Sequence, residues 1–128
     1  MNITTWRSEY QIGHKVIDAQ HKYLFELANK TFEAKTKKEV AENLVLLNEH
    51  TREHFKDEES LMIEINYPGY LEHKQAHDDL LDKMYGFSEE LNKGDMSNDD
   101  IKGFICLWLL DHILIKDEDL GRFIALSD

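Results

Sequence analysis

Four stretches of the chain place apolar residues every three or four positions, and each carries at least one histidine on the same line. Residues at that spacing share one face of an α-helix, and an apolar face must be covered by other helices. From Asp18 to near Lys35 the line is His21, Leu24, Phe25, Ala28 and Phe32. A second line, Val40, Leu44, Leu47, Thr51, His54, Glu58, Leu61 and Ile65, runs to about Ile65 with polar groups at its middle. The third, from about Tyr70 to Lys93, holds His73, His77, Leu80, Leu81, Met84, Phe87 and Leu91. The fourth holds Ile101, Phe104, Ile105, Trp108, Leu109 and His112, and its end is expected between Ile113 and Asp117.

Punctuation supports these limits. Thr36-Lys37-Lys38-Glu39 has the spacing of a capping box, and Ser97-Asn98-Asp99-Asp100 sets a hydroxyl and two carboxylates at the positive end of the next helix. Asn66-Tyr67-Pro68-Gly69 stops the second helix, since proline lacks the N–H that continues the ladder. Gly94 is available to end the third. No stretch alternates with period two, and no internal repeat is visible. The expected fold is all-α: an up-down-up-down four-helix bundle with an N-terminal arm over residues 1–17 and a short C-terminal segment, Glu118 to Asp128, in one domain spanning 1–128.

Length and charge narrow the function. A chain of 128 residues is the size of one domain, too short for a Rossmann enzyme with a separate substrate domain. Fifteen Lys and Arg against 26 Asp and Glu give a net charge of −11, which repels phosphate backbones and anionic lipid, so neither nucleic acid nor membrane is an expected partner. Cys106 is the sole cysteine, which excludes an internal disulfide and a thiolate zinc site and points to a reducing, cytoplasmic setting. The start, Met1 to Arg7, lacks a signal-peptide pattern, and no apolar run approaches the roughly 18 residues of a membrane span. A soluble, complete chain is the expectation.

Seven histidines are the unusual count. His54 and Glu58, like His73 and His77, stand one helical turn apart, where side chains stack with Cβ atoms roughly 5–6 Å apart. Each such pair is commonplace on a helix surface, and a lone His112 after Trp108 is ordinarily a satisfied core residue. Here every one falls on an inward line, and all four helices contribute. Five imidazoles and two carboxylates buried without partners would cost several kcal/mol each, on the order of the desolvation of a polar group. Bound metal removes that cost. His21, His54, His73, His77 and His112 with Glu58 and Asp117 exceed one octahedron. Two metals sharing both carboxylates and one solvent-derived oxygen use all seven, one metal six-coordinate with three histidines and the other five-coordinate with two. Nitrogen and oxygen donors without thiolate suit iron or manganese, with zinc and copper as competitors on affinity.

Trp6, Ile12-Gly13, Ile17-Asp18-Ala19-Gln20-His21, the run His54 to Met62, Tyr67-Pro68-Gly69, His73-Lys74-Gln75-Ala76-His77, Trp108 to Ile113, and Asp117 form one pattern along the chain. In it the chain resembles the hemerythrins, in particular the single-domain bacterial ones, over essentially its whole length. The resemblance implies reversible dioxygen binding at two non-haem iron ions (Fe2+/Fe3+) with an oxo or hydroxo bridge. It assigns His73, His77 and His112 to the saturated iron, His21 and His54 to the iron with an open position, and Glu58 and Asp117 to the bridges. Five residues after His112 is about 140° around an α-helix, so the backbone must bulge or leave the helix before Asp117. Leu24, Phe55, Trp108, Leu109 and Ile113 are spaced to form an apolar wall around the dioxygen pocket, and each serves equally as ordinary bundle core.

The implied protein is a binder and not an enzyme, monomeric, used for oxygen storage, delivery or sensing, with a reductase as its candidate protein partner. The rival is a di-iron oxidase, peroxidase or iron-handling protein of the ferritin type, built on Glu-x-x-His pairs. No Glu lies three residues before a His here, and Asp18-x-x-His21 is the nearest approach. A sensor module acting through a separate chain is the other alternative. His50 and His14 are expected on the surface, Cys106 and Met84 in the core, and Tyr67 and Tyr70 have no assigned role.

Overall fold

The computed structural model describes residues 7–127, without the side chains of Glu9, Leu109, Leu110, Asp111 and Ser127; Trp6 and the Leu109 side chain therefore lie outside the described residues. A single 3-10 turn, Ser8–Tyr10, precedes α1 (Lys15–Glu33) and α2 (Lys37–Glu64). The third helix is broken at Gly86 into α3 (Tyr70–Tyr85) and α4 (Phe87–Lys93). The fourth begins as α5 (Asn98–Asp111), widens into a π-helical segment, His112–Asp117, and continues as α6 (Glu118–Ser127). Four helical rods result, α1 lying along α2 and α5, and α2 also along α3 and α4.

The caps form as their residues require. Thr36 Oγ accepts the Glu39 N–H at 3.1 Å. Ser97 and Asp100 cap reciprocally, each backbone N–H donating to the other's side-chain oxygen. Gly94 ends α4 at φ +81°, a conformation that side chains with a Cβ resist. Three boundaries differ from expectation. α1 starts at Lys15, three residues early, because His14 caps it, its Nδ1 accepting the Ile17 N–H at 3.3 Å. The third helix is interrupted, since Gly86 weakens the ladder at that point. The fourth helix does not end between Ile113 and Asp117; it bulges there and runs on.

Among the described residues two apolar clusters fill the interior. The larger joins residues including Leu24, Phe25, Leu44, Leu47, Met84, Leu91, Ile101, Ile105 and Trp108 from all four rods. The smaller holds Ile12, Ile17, Met62 and Leu120, tying the N-terminal arm to the ends of α2 and α6. The arm is fixed by Asp18, whose carboxylate accepts the N–H groups of Ile12 at 2.7 Å and Gly13 at 3.3 Å. Along α1, α2 and the fourth rod the order is the same: small cluster, polar residues, large cluster. Ile17, His21, Leu24 is one reading of it, and Met62, Glu58, Phe55 another. The polar layer is therefore sandwiched between two dry ones. Among the described residues no helix is long and apolar enough to cross a membrane.

Candidate metal centre

All seven predicted ligands meet in that layer. Their relative exposures are 0–1%, except His73 at 4%. They sort into two groups able to hold an ion: Glu58, His73, His77, His112 and Asp117, and His21, His54, Glu58 and Asp117. Both carboxylates belong to both groups, and their oxygens divide between them. Oε1 of Glu58 faces Nε2 of His73 at 2.7 Å, of His77 at 3.2 Å and of His112 at 3.7 Å. Its Oε2 faces Nε2 of His54 at 3.1 Å and of His21 at 3.5 Å. Asp117 repeats the division, Oδ1 toward His73 at 3.0 Å and His112 at 3.2 Å, and Oδ2 toward His21 at 2.8 Å. Metal–ligand bonds of about 2.1 Å at right angles place neighbouring ligand atoms roughly 3 Å apart, the spacing seen here.

Hydrogen bonds on the far side of the rings explain why such spacing needs a cation. Nδ1 of His77 donates to Glu59 Oε2 at 2.8 Å, and Nδ1 of His54 donates to the Gln20 amide oxygen at 2.9 Å. In the neutral rings each Nε2 then carries a lone pair. Nε2 of His77 lies 3.1 Å from Nε2 of His112, and Nε2 of His54 faces a carboxylate oxygen. A lone pair turned toward a carboxylate repels it, and while the facing rings are neutral both oxygens of Glu58 and of Asp117 are buried without a hydrogen-bond partner. A pair of divalent cations of N/O preference satisfies the whole set, and the partners on Nδ1 fix tautomer and ring orientation as they do in metal sites generally. The residues present fit two such ions.

Without metal, protons take over part of this work. Burial lowers the pKa of His21, but the charges and hydrogen bonds of Asp117 and Glu58 outweigh it and raise it to about 10. His73 is raised to about 9 by the same balance of burial against Asp117 and Glu58. Burial dominates at His54, which is lowered. Burial also opposes ionisation of Glu58, yet the rings of His112, His21, His54 and His73, which donate to it once they carry a proton on Nε2, hold it well below the usual carboxylate range. Asp117 is lowered too: burial and Glu58 push it up, and the charges of His112 and His21 more than compensate.

The π segment settles how Asp117 arrives. A π turn takes one more residue than an α turn, which cancels the misdirection of the five-residue step from His112. The expected wall residues Leu24, Phe55, Trp108 and Ile113 are all buried at 1–3% exposure. Phe55 lies face to face on the His77 ring with centroids 3.7 Å apart, and Trp108 stacks on His112 at 6.3 Å. His50 stays outside the centre, half-buried and edge-on to Tyr23 at 4.7 Å. His14 is not a plain surface residue but the cap of α1. Cys106 is half-buried rather than core. Asp18, the nearest approach to a Glu-x-x-His pair, is committed to the arm. Gln20 and Glu59 were not anticipated. Each is the chain neighbour of a residue of the layer and so lies off the inward line, and the signal was a polar residue next to a buried one.

Comparison with known proteins agrees with this geometry. Residues 13–124 match the hemerythrin HHE cation binding domain. The chain is 30% identical over 125 residues to bacteriohemerythrin of Clostridium acetobutylicum, covering 89% of this chain and 95% of that one. It is 32% identical over 112 residues to myohemerythrin of Sipunculus nudus, covering 88% and 86%. A crystal structure of wild-type hemerythrin superposes with a TM-score of 0.82 at 26% identity, covering 93% of this chain and 95% of that one. A match across most of the sequence, on the same helices that build the cation cluster, makes this chain a member of the hemerythrin family.

Proposed function

We propose that the chain binds dioxygen reversibly at a non-haem di-iron centre held by His21, His54, Glu58, His73, His77, His112 and Asp117. The observation that carries this reading is the unequal division of ligands. Three histidines share the Oε1 and Oδ1 side of the two carboxylates, and only two share the Oε2 and Oδ2 side. The first set would hold one ion, and the second, one imidazole poorer, would hold the other and leave room for an added ligand. Iron held by these residues would supply, as two ferrous ions, the two electrons that reversible dioxygen binding requires.

The protein's own residues keep that exchange from becoming turnover. Leu24, Phe55, Trp108 and Ile113 line the layer next to the ligands and exclude water and stray proton donors. Leu109 is proposed with them from its spacing. Glu59 and Gln20 hold two imidazoles in the donor tautomer, and a shell of five neutral rings to two carboxylates donates less charge than a carboxylate-rich one. Binding rather than catalysis follows. The proposal extends to a single domain over 1–128 acting as a cytoplasmic monomer, reduced by a separate reductase; the lone Cys106 supports the compartment.

Absorbance tests the reading. The reduced, iron-loaded protein is expected to gain a visible band in air and lose it on deoxygenation through repeated cycles. A colourless sample that consumes oxygen continuously would place it with the oxidases instead.

A further inference from the structure

The turn after α2 brings an otherwise unassigned tyrosine to the edge of the metal layer. Asn66 adopts φ +55°, and the N–H groups of Asn66 and Tyr67 return to the carbonyls of Ile63 and Met62 at 3.2 and 2.9 Å. That is a Schellman closure, with Asn in the left-handed position usually given to glycine. It folds Tyr67 back so that its ring lies over Gly69, where a Cβ would meet Tyr67 Cε2 at 2.9 Å. The same ring stands edge-on to Phe123 at 5.2 Å and to His73 at 6.5 Å.

Beside it is a cavity of about 100 Å³ lined by Tyr67, Gly69, Glu72, His73, Lys116 and Asp119. His73 is thus both a wall of this cavity and a ligand, and it is the most accessible of the seven. The other walls are polar. Glu72 is exposed, Asp119 is paired to Arg122 at 3.3 Å, and Lys116 is the one lysine among the lining residues. A hydrated dication suits such a passage, whereas dioxygen, which is apolar, gains nothing from it.

We propose that this cavity is the port through which divalent metal ions enter and leave the centre, Glu72 drawing them in, Tyr67 covering the way, and His73 being the first ligand met. The proposal rests on the di-metal reading of the site above. It assigns Tyr67 and Glu72 to the rate of metal exchange and not to the affinity of the loaded centre.

The test uses Co2+ as probe, added anaerobically to the metal-free full chain and later withdrawn with EDTA, each followed by visible absorbance. Glu72→Gln is expected to load about fivefold more slowly at low ionic strength, with the gap closing as salt is added. Lys116→Gln should load faster than wild type. Tyr67→Ala should lose Co2+ to EDTA about fivefold or more faster, and Tyr67→Phe, which keeps the ring, should match wild type. All should end at two Co2+ per chain. Glu42→Gln, an exposed acid elsewhere on α2, controls for overall charge. Loading rates for Glu72→Gln and Lys116→Gln within twofold of wild type would overturn the port, as would an equal slowing by Glu42→Gln; Glu72 is exposed and Lys116 half-buried, so these variants stand apart from the Tyr67 result. A wild-type end point below two Co2+ per chain would instead bring down the di-metal reading, and the port with it.

Discussion

Replacing Glu59 by Ala is the sharpest probe of how the centre is held, because Glu59 reaches the metal layer through His77. Its Oε2 accepts from His77 Nδ1 at 2.8 Å, and its side chain is 20% exposed. A hydrogen bond to a charged group contributes about 1.5–3 kcal/mol. Loss of such a partner behind a metal-bound imidazole typically costs about 10–100-fold in metal affinity, or roughly 1.4–2.7 kcal/mol. The two routes meet near 2 kcal/mol, so Glu59→Ala should weaken metal binding by about 30-fold. Partial exposure to water places it at the lower end for charge, so Glu59→Gln, which keeps an acceptor and drops the charge, should lose only about fivefold. The assay is competition for Fe2+ or Co2+ against a chelator of known affinity, with circular dichroism to confirm an unchanged fold. Affinity within twofold of wild type for Glu59→Ala would refute the argument that this contact orients a ligand.

Three further outcomes follow from the same structure. His77→Ala should leave well under two metal ions per chain by elemental analysis, while His14→Ala should keep both and lower stability by about 0.5–1 kcal/mol through loss of the α1 cap; equal metal loss in the two would break the ligand assignment. In the metal-free protein His21 and His73 are raised to about 10 and about 9, so the stability they contribute is complete below about pH 6.5 and is lost as pH rises through 9–10. Urea melts of the metal-free form should therefore weaken across that range, and metal affinity, which must displace those protons, should strengthen over it; a flat urea midpoint from pH 6.5 to 10 would contradict the assignment. Gly121→Ala should destabilise by about 1–2 kcal/mol, because the new Cβ would lie 3.1 Å from Cα and Cβ of Ile12, whereas Gly103→Ala, which meets nothing within 4 Å, should stabilise α5 by about 0.5–1 kcal/mol, both read from thermal or urea midpoints.

What could be read from the chain and what could not divide along a physical line. Apolar period reports burial directly, so the lines through His21, His54, His73 and His112 located four rods and six of the seven residues that meet in the polar layer before any coordinates. Caps were equally legible, since Thr36 and Ser97 act on residues three positions away. Contacts between rods were not. Gln20 reaches His54 across 34 residues and Glu59 reaches His77 across 18, and neither pairing leaves a trace in local spacing. The break at Gly86 escaped notice for the opposite reason: the apolar line runs through it, from Met84 to Phe87 and Leu91, because burial continues while the ladder does not.

The fourth rod shows how the seventh residue of that layer, Asp117, is nonetheless written in the chain. Its buried line, Ile101, Ile105, Trp108 and His112, would continue in an unbroken α-helix through Ile115 or Lys116 to Asp119. Ile115 is 58% exposed, and Asp119 is exposed as well. The residues that are buried are Ile113, Asp117 and Leu120, a line with the same three-and-four spacing displaced by one position. Two apolar lines out of phase by one residue require one extra residue in the turn between them, and the π segment at His112–Asp117 is that turn. The displacement delivers a carboxylate to the layer that His112 has already reached, and it delivers Leu120 to the small cluster that seals the layer from below. A helix without the extra residue would have to choose: keep His112 in the centre and turn Asp117 away, or seat Leu120 and lose the histidine.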